Sequence, residues 1–191
     1  MSQKKKKKTE DVSPEVLARR DTYDWIQSLM SALIFCVVLF VFFVRIIDVI
    51  GSSMVPTLFD GDKMLVSDLF YTPKAGDVVV FKKDEYDPDK ALVKRVIATE
   101  GQVVNIDFDR GIVYIDGVPI QEDYISELTT AKLDFIGPKT VPEGCVFVMG
   151  DNRNMSTDSR KTEIGMVDSR LIIGKVYYVI YPLSDAGKLK Q

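Results

Sequence analysis

Between Ile26 and Val44 the chain reads IQSLMSALIFCVVLFVFFV, nineteen residues without a charge. A helix of that length rises about 28 Å, close to the ~30 Å hydrocarbon core of a bilayer, so the run predicts a transmembrane helix over 25–45. The run continues into FFVRIIDVIG, bulky and branched where a removable leader would end in small residues, which points to a retained anchor. Past residue 58 the pattern changes. DKMLV, DVVVF, ALVKRVIA, QVVNIDF, GIVYIDGVPI, CVFVM and LIIGKVYYVIY are short runs rich in Val, Ile, Tyr and Phe, separated by DGD, AGD, DRG, DG and PEG. Asp-Gly between alternating apolar residues predicts hairpins. No stretch there keeps a 3.6-residue period over a typical helix length. The expected fold is therefore mainly β: an antiparallel sheet domain over 46–191, behind a single N-terminal transmembrane α-helix, with 1–24 as a basic tail. Residues 122–140, EDYISELTTAKLDFIGPKT, are polar and weakly periodic and are expected to form an excursion or a flexible flap.

Charge orients the span. Lys4 to Lys8, Arg19 and Arg20 precede it, whereas Arg45 and Lys63 alone follow within about twenty residues. The side richer in Lys and Arg stays in the cytoplasm, which places 45–191 on the outer face of the cell membrane and makes the lipid bilayer a partner. The lysine run reads as a solvated tail with a weak grip on anionic lipid. Residues 1–44 hold seven basic and five acidic side chains, and 45–191 hold eighteen and twenty-three. A mildly acidic globular part argues against nucleic acid as a partner. Cys36 lies in the apolar run and Cys145 in a strand-like run, so the two are not expected to pair. With no histidine, no Cys-x-x-Cys and no calcium-loop pattern, no metal or cofactor is expected. Nothing in the sequence specifies an oligomeric state.

The missing histidine frames the chemistry of DVIGSSMVPTL, residues 48–58. A nucleophilic serine needs a base within hydrogen-bond reach. A carboxylate could serve, or a lysine held neutral, its pKa brought from about 10.4 toward 7 or 8 by burial among apolar groups. Lys94, central in ALVKRVIA, has those surroundings. Alternation puts Leu92, Lys94 and Val96 on one strand face and Val93, Arg95 and Ile97 on the other, so one of the two cations faces a site and the other needs a carboxylate. A snorkelling edge-strand lysine and a plain Gly-Ser-Ser turn are the bland readings. What lifts both is a third segment, VMGDNRNMSTDSR (148–160), dense in Asp and Arg.

In this order GSSMVPTL, GDVVVF with LVKRVIATEG, and VMGDNRNMSTDSR resemble the type I signal peptidases, membrane-anchored serine proteases with a Ser/Lys dyad. The likeness runs from the apolar segment to GKVYYVIYP, most of the chain. It implies that Ser53, the serine before Met54, is the nucleophile and Lys94 the general base, with Ser156 hydrogen-bonding and orienting the lysine. Asp151, Asp158 and Arg160 match structural charged positions, with Asp151 the counter-charge of Arg95. The family holds the oxyanion partly with the nucleophile's own N–H; some members add a serine two residues earlier, where this chain has Gly51. Two departures stand out: Met155 directly before Ser156, and ATEGQ in place of the commoner Gly-Leu-Pro-Gly-Asp after the lysine. The implied substrates are signal peptides of exported preproteins, with small side chains at the first and third positions before the cut. Ser53 lies nine residues past Val44, a reach of about 30 Å at most, which tethers it near the lipid. A catalytically inactive membrane-tethered β domain that binds exported peptides is the alternative. A Ser/Lys self-cleaving regulator would need a soluble DNA-binding head. A penicillin-recognising enzyme would need a Ser-x-x-Lys outside the tail match at Ser2 to Lys5.

Overall fold

The computed structural model describes residues 14–83 and 85–189, without the side chains of 14–18, 39–43 and 188. Lys4 to Lys8 and the rest of the basic tail before residue 14 lie outside the described residues. Two compact units divide at Phe42/Phe43.

The first unit holds helix α1, Pro14–Phe43, thirty residues long, except for its last residue. It begins well before the expected start of the span and stops two residues before its expected end. The reason for the early stop is local. VRIID at 44–48 holds three β-branched residues among five, and it pairs antiparallel with the next strand as β1 (Val44–Asp48). From Arg19 to Val38 the side chains of α1 are exposed, apolar ones included. Among the described residues, no helix is long and apolar enough to cross a membrane.

The second unit is mainly β and antiparallel, as its run pattern predicts. After β1 come β2 (Lys63–Ser67), β3 (Val78–Lys82), β4 (Ala91–Thr99), β5 (Val103–Asp107), β6 (Ile112–Ile115) and β7 (Val118–Pro119). They are followed by β8 (Lys139–Thr140), β9 (Cys145–Met149), β10 (Val167–Asp168), β11 (Ile172–Tyr181) and β12 (Gly187–Lys188). Among the described residues these form two sheets. The larger runs β1-β2-β11-β3-β4-β9-β10, with β12 also on β11, and the smaller runs β7-β6-β5-β8. Asp116 and Gly117 join β6 to β7 with φ of 52° and 79°, the two left-handed residues that a two-residue hairpin needs.

Two apolar clusters fasten irregular segments to the sheets. In the first, Ile97, Phe147 and Met149 of the large sheet meet Val104, Ile106, Val113 and Ile115 of the small one. Residues 122–140 are an irregular excursion, and it is tied into this cluster rather than merely draped over it. Its Phe135 is buried between Phe108 and Phe147, both edge-on with centroids at 5.9 Å. In the second, Met54 and Leu58, from the turn after β1, pack on Val49, Met64, Val66, Val78 and Val80. That turn is thereby nailed to the sheet. Phe135→Ala should leave a void where three rings meet and cost about 3–5 kcal/mol in urea unfolding. A loss well under ~1 kcal/mol would mean that the excursion is not part of this core.

Candidate active site

Ser53 sits in the turn region after β1, and the bonds around it come from both sides. Ahead of it, Gly51 N donates to Asp60 Oδ1 at 2.7 Å. Behind it, the amides of Thr57 and Leu58 donate to Met54 O at 2.8 and 3.0 Å, above the buried Met54 side chain. From across the fold, Asn152 N donates to Ser53 O at 3.0 Å and Asn152 Nδ2 to Ser52 O at 3.1 Å.

Lys94 arrives from the interior. Strand β4 lies between β3 and β9, with Lys94 opposite Val79. The side chain is only 3% exposed, yet its Nζ donates to Ser53 Oγ at 2.7 Å and to Val93 O at 2.8 Å. Burial pushes the Lys94 ammonium down to about 8, against the nearby charges of Asp158 and Asp151, which favour the ammonium. An amine that is readily neutral, in contact with a hydroxyl, can take that hydroxyl's proton.

Three fully buried arginines hold the surroundings. Arg95, next to Lys94 in β4, donates from Nε and Nη2 to Asp151 at 2.8 and 2.7 Å and from Nη1 to Gly76 O at 2.8 Å. The Thr57 hydroxyl donates to the same carboxylate, and the Tyr124 ring lies 3.9 Å from the Arg95 guanidinium carbon. Arg160 pairs with Asp158 through Nε at 2.9 Å and Nη2 at 2.8 Å and also donates to Ala131 O. Arg153 donates to Glu122, Thr129 Oγ1 and Gly150 O. Two-pronged pairs of this kind fix orientation, and removing either partner would strand a buried charge.

The structure brings Ser53 and Lys94 into contact, pairs Arg95 with Asp151, and sets Asp158 and Arg160 near enough for their charges to act on Lys94. It departs from the expectation for Ser156. That residue is buried beside the others, but its Oγ has no hydrogen-bond partner among the described residues. The Lys94 bonds go instead to Ser53 and Val93. Crowding explains where the hydroxyl sits: a Cβ placed on Gly150 would fall 2.3 Å from Ser156 Oγ and 2.4 Å from Ser53 O. Only glycine fits at 150, and its N–H is spent on Asp158 Oδ2 at 3.0 Å. Met155, the unusual residue before Ser156, is 72% exposed and leaves the buried loop undisturbed.

A cleft of about 450 Å³ opens onto Ser53 and Lys94, lined by Ile46, Val49, Ile50 and Leu92 among others. Both of its walls are strands with a free edge. Among the described residues β1 pairs only with β2, and Ala91 to Lys94 pair only with β3, because the pairing of β4 with β9 starts at Arg95 opposite Met149. A larger cavity of about 550 Å³, around Tyr71, Cys145 and Ser169, touches neither residue of the pair. Thr57, Tyr124, Glu122 and Asn152 are not singled out by sequence pattern. Thr57 and Asn152 lie inside the motifs without a chemical signal of their own, and Glu122 and Tyr124 belong to the segment with the weakest pattern.

Known proteins share this chain's sequence over most of its length. The family described as signal peptidase, peptidase S26, matches residues 22–181. A probable signal peptidase I-1 of Synechocystis sp. is 40% identical over 170 residues, 84% of this chain and 83% of the relative. A signal peptidase I of Bacillus licheniformis is 34% identical over 181 residues, 89% and 94% of the two chains. The crystal structure of a signal peptidase I from Enterococcus faecalis V583 is 30% identical, with a TM-score of 0.45, covering 55% of this chain and 97% of that one.

Burial of Lys94 also ties stability to pH. In the unfolded chain the Lys94 amine returns to about 10.4, so between pH 8 and 10.4 the unfolded state binds the extra proton and stability rises with pH. Below pH 8 the buried ammonium weakens the fold by roughly 3 kcal/mol. Lys94→Met should therefore melt above the wild type at pH 7, and the gap should close as pH is raised from 8 toward 10. A gap that is constant with pH would contradict burial as the cause.

Proposed function

The chain belongs to the signal peptidase family, peptidase S26, and we propose that Ser53 and Lys94 are its nucleophile and general base in removing signal peptides from exported preproteins. The observation that carries this reading is the 2.7 Å contact between Lys94 Nζ and Ser53 Oγ at the mouth of the apolar cleft.

The substrate lies extended along the cleft, where the free edges of β1 and of Ala91 to Lys94 offer backbone donors and acceptors. Neutral Lys94 accepts the Ser53 hydroxyl proton as Oγ attacks the scissile carbonyl. The oxyanion of the tetrahedral intermediate is stabilised by the Ser53 N–H, with no side-chain donor at Gly51. As the C–N bond breaks, the Lys94 ammonium returns its proton to the leaving amine, and an ester to Ser53 remains. Lys94 then takes a proton from water as the water attacks the ester. The ester C–O bond breaks with that proton passing from the Lys94 ammonium to Ser53 Oγ. This frees the leader with its new carboxyl group and restores Ser53 and neutral Lys94. Small residues at the first and third positions before the cut suit this family's cleft. The pairs Arg95–Asp151 and Arg160–Asp158 keep the two reacting side chains in register. The direct Ser53–Lys94 contact favours this reading over a non-catalytic peptide-binding domain.

The uncharged run 26–44 anchors the enzyme in the cell membrane in a single pass, with residues before it in the cytoplasm and 46–191 outside. The side chains of its residues 39–43 are not described, and its last residue, Val44, opens β1. Anchoring enzyme and leader in one plane raises their effective concentration.

Ser53→Ala and Lys94→Ala should each lower cleavage of a labelled leader peptide by at least about 10³-fold while the fold is retained. The wild-type kcat/KM should rise with pH through about 8, as Lys94 loses its proton. Substantial activity in the lysine variant, or an acid limb far below pH 6, would rule out the lysine base. Protease added to intact cells should digest 46–191 and spare a tag on residue 1; the reverse pattern would invert the proposed topology.

A further inference from the structure

With glycine at 51, the proposed reaction leaves the oxyanion hole with one protein donor, the Ser53 N–H. What aims that single donor is therefore decisive. Among the described residues no cis bond joins Ser52 to Ser53, and in a trans peptide the carbonyl and the following N–H point in opposite directions. Whatever holds Ser52 O thus sets the direction of Ser53 N–H. Two groups hold it. One is Val55 N, at 3.2 Å within the same turn. The other is Asn152 Nδ2, at 3.1 Å from a hundred residues away.

The second is the informative one, because Asn152 is joined directly to the buried frame. It follows Asp151, which Arg95 grips with two bonds, and Arg95 follows Lys94 in β4. Asn152 also grips the next peptide plane, donating its backbone N–H to Ser53 O at 3.0 Å. Both peptide planes flanking Ser53 are thereby referred to the rigid body that carries the lysine. Ser53 N itself donates to no protein acceptor among the described residues, so it is available to a ligand.

We propose that Asn152 is a positioning residue whose carboxamide, through Ser52 O, aims the Ser53 N–H at the oxyanion of the tetrahedral intermediate. This rests on Ser53 being the nucleophile. The Asn152 side chain touches no reacting atom; its contribution appears only when charge develops on the substrate oxygen.

The test uses the full chain, a labelled leader peptide, and a peptide aldehyde that adds reversibly to a serine as a hemiacetal whose oxygen occupies the hole. Asn152→Ala removes the donor, and Asn152→Asp keeps the shape while offering an acceptor only. Both should lower kcat about 10- to 100-fold, with KM within about twofold of wild type. Aldehyde affinity should fall by a similar factor, and the acid limb of the pH profile should stay where the wild type has it. The inference is overturned if kcat and aldehyde affinity remain within about twofold of wild type. It is equally overturned if kcat, KM and the acid limb all move together, which a general loosening of the loop would produce. Thermal unfolding accompanies each variant; should Asn152→Ala melt below the assay temperature, the isosteric Asn152→Asp decides. Ser53→Ala runs in parallel, and cleavage surviving there would sink the nucleophile assignment itself, whatever the Asn152 variants do.

Discussion

A lysine side chain deprived of water while its charge still has to be managed sets the terms for everything around Ser53. Burial is the largest influence bringing the Lys94 amine down to about 8, with the Arg160 charge adding to it. Burial is possible because β4 is flanked by β3 and by β9 from Arg95 onward, with the apolar clusters packed against the sheet. Charge pulls the other way, since Asp158 and Asp151 favour the ammonium. Each carboxylate is committed to an arginine before it can act fully on the lysine. The resulting balance leaves an amine that can cycle between its two protonation states near physiological pH, which a proton shuttle requires.

Arg95, Arg153 and Arg160 are all buried, and taking such groups out of water is costly. A hydrophobic filling of the same volume would serve stability at least as well. Their use lies in direction. A guanidinium bonded at two or three fixed points allows one placement of the loop, and the loop bears Gly150, Asn152 and Ser156. The segment 122–140 closes the arrangement from outside: Glu122 meets Arg153, Tyr124 covers Arg95, and Ala131 O accepts from Arg160. An insertion with little secondary structure of its own therefore acts as a brace for the proposed centre.

Much of this could be read from the amino-acid order. Turn residues between β-branched runs mark β2 to β7, β9 and β11, because period-two alternation and Asp-Gly hairpins are local properties. Val44–Asp48 is hidden because it adjoins the apolar run and its partner β2 lies some fifteen residues on, and the two-residue strands β8, β10 and β12 are too short to carry a pattern. The absence of histidine and a lysine inside an apolar strand pointed to Lys94 by type, whereas Ser53, Asp151, Asp158 and Arg160 were picked out by the resemblance of their motifs to the family. That one of Lys94 and Arg95 needs a carboxylate was legible from alternation, but Asp151 as the partner of Arg95 came from the resemblance.

What order along the chain could not supply is distance. Ser53 and Lys94 are forty-one positions apart, and their 2.7 Å contact exists only because the fold brings the turn after β1 against β4. The unbonded hydroxyl of Ser156, the ring of Tyr124 over Arg95 and the carboxamide of Asn152 on Ser52 O are likewise products of packing, since each joins segments with no local pattern in common. By itself the sequence specified which chemical groups were present and which elements would carry them, since propensity and burial act residue by residue. Tertiary structure alone decided which groups touch, because hydrogen bonds and desolvation depend on separations of a few ångströms that only the closed fold sets.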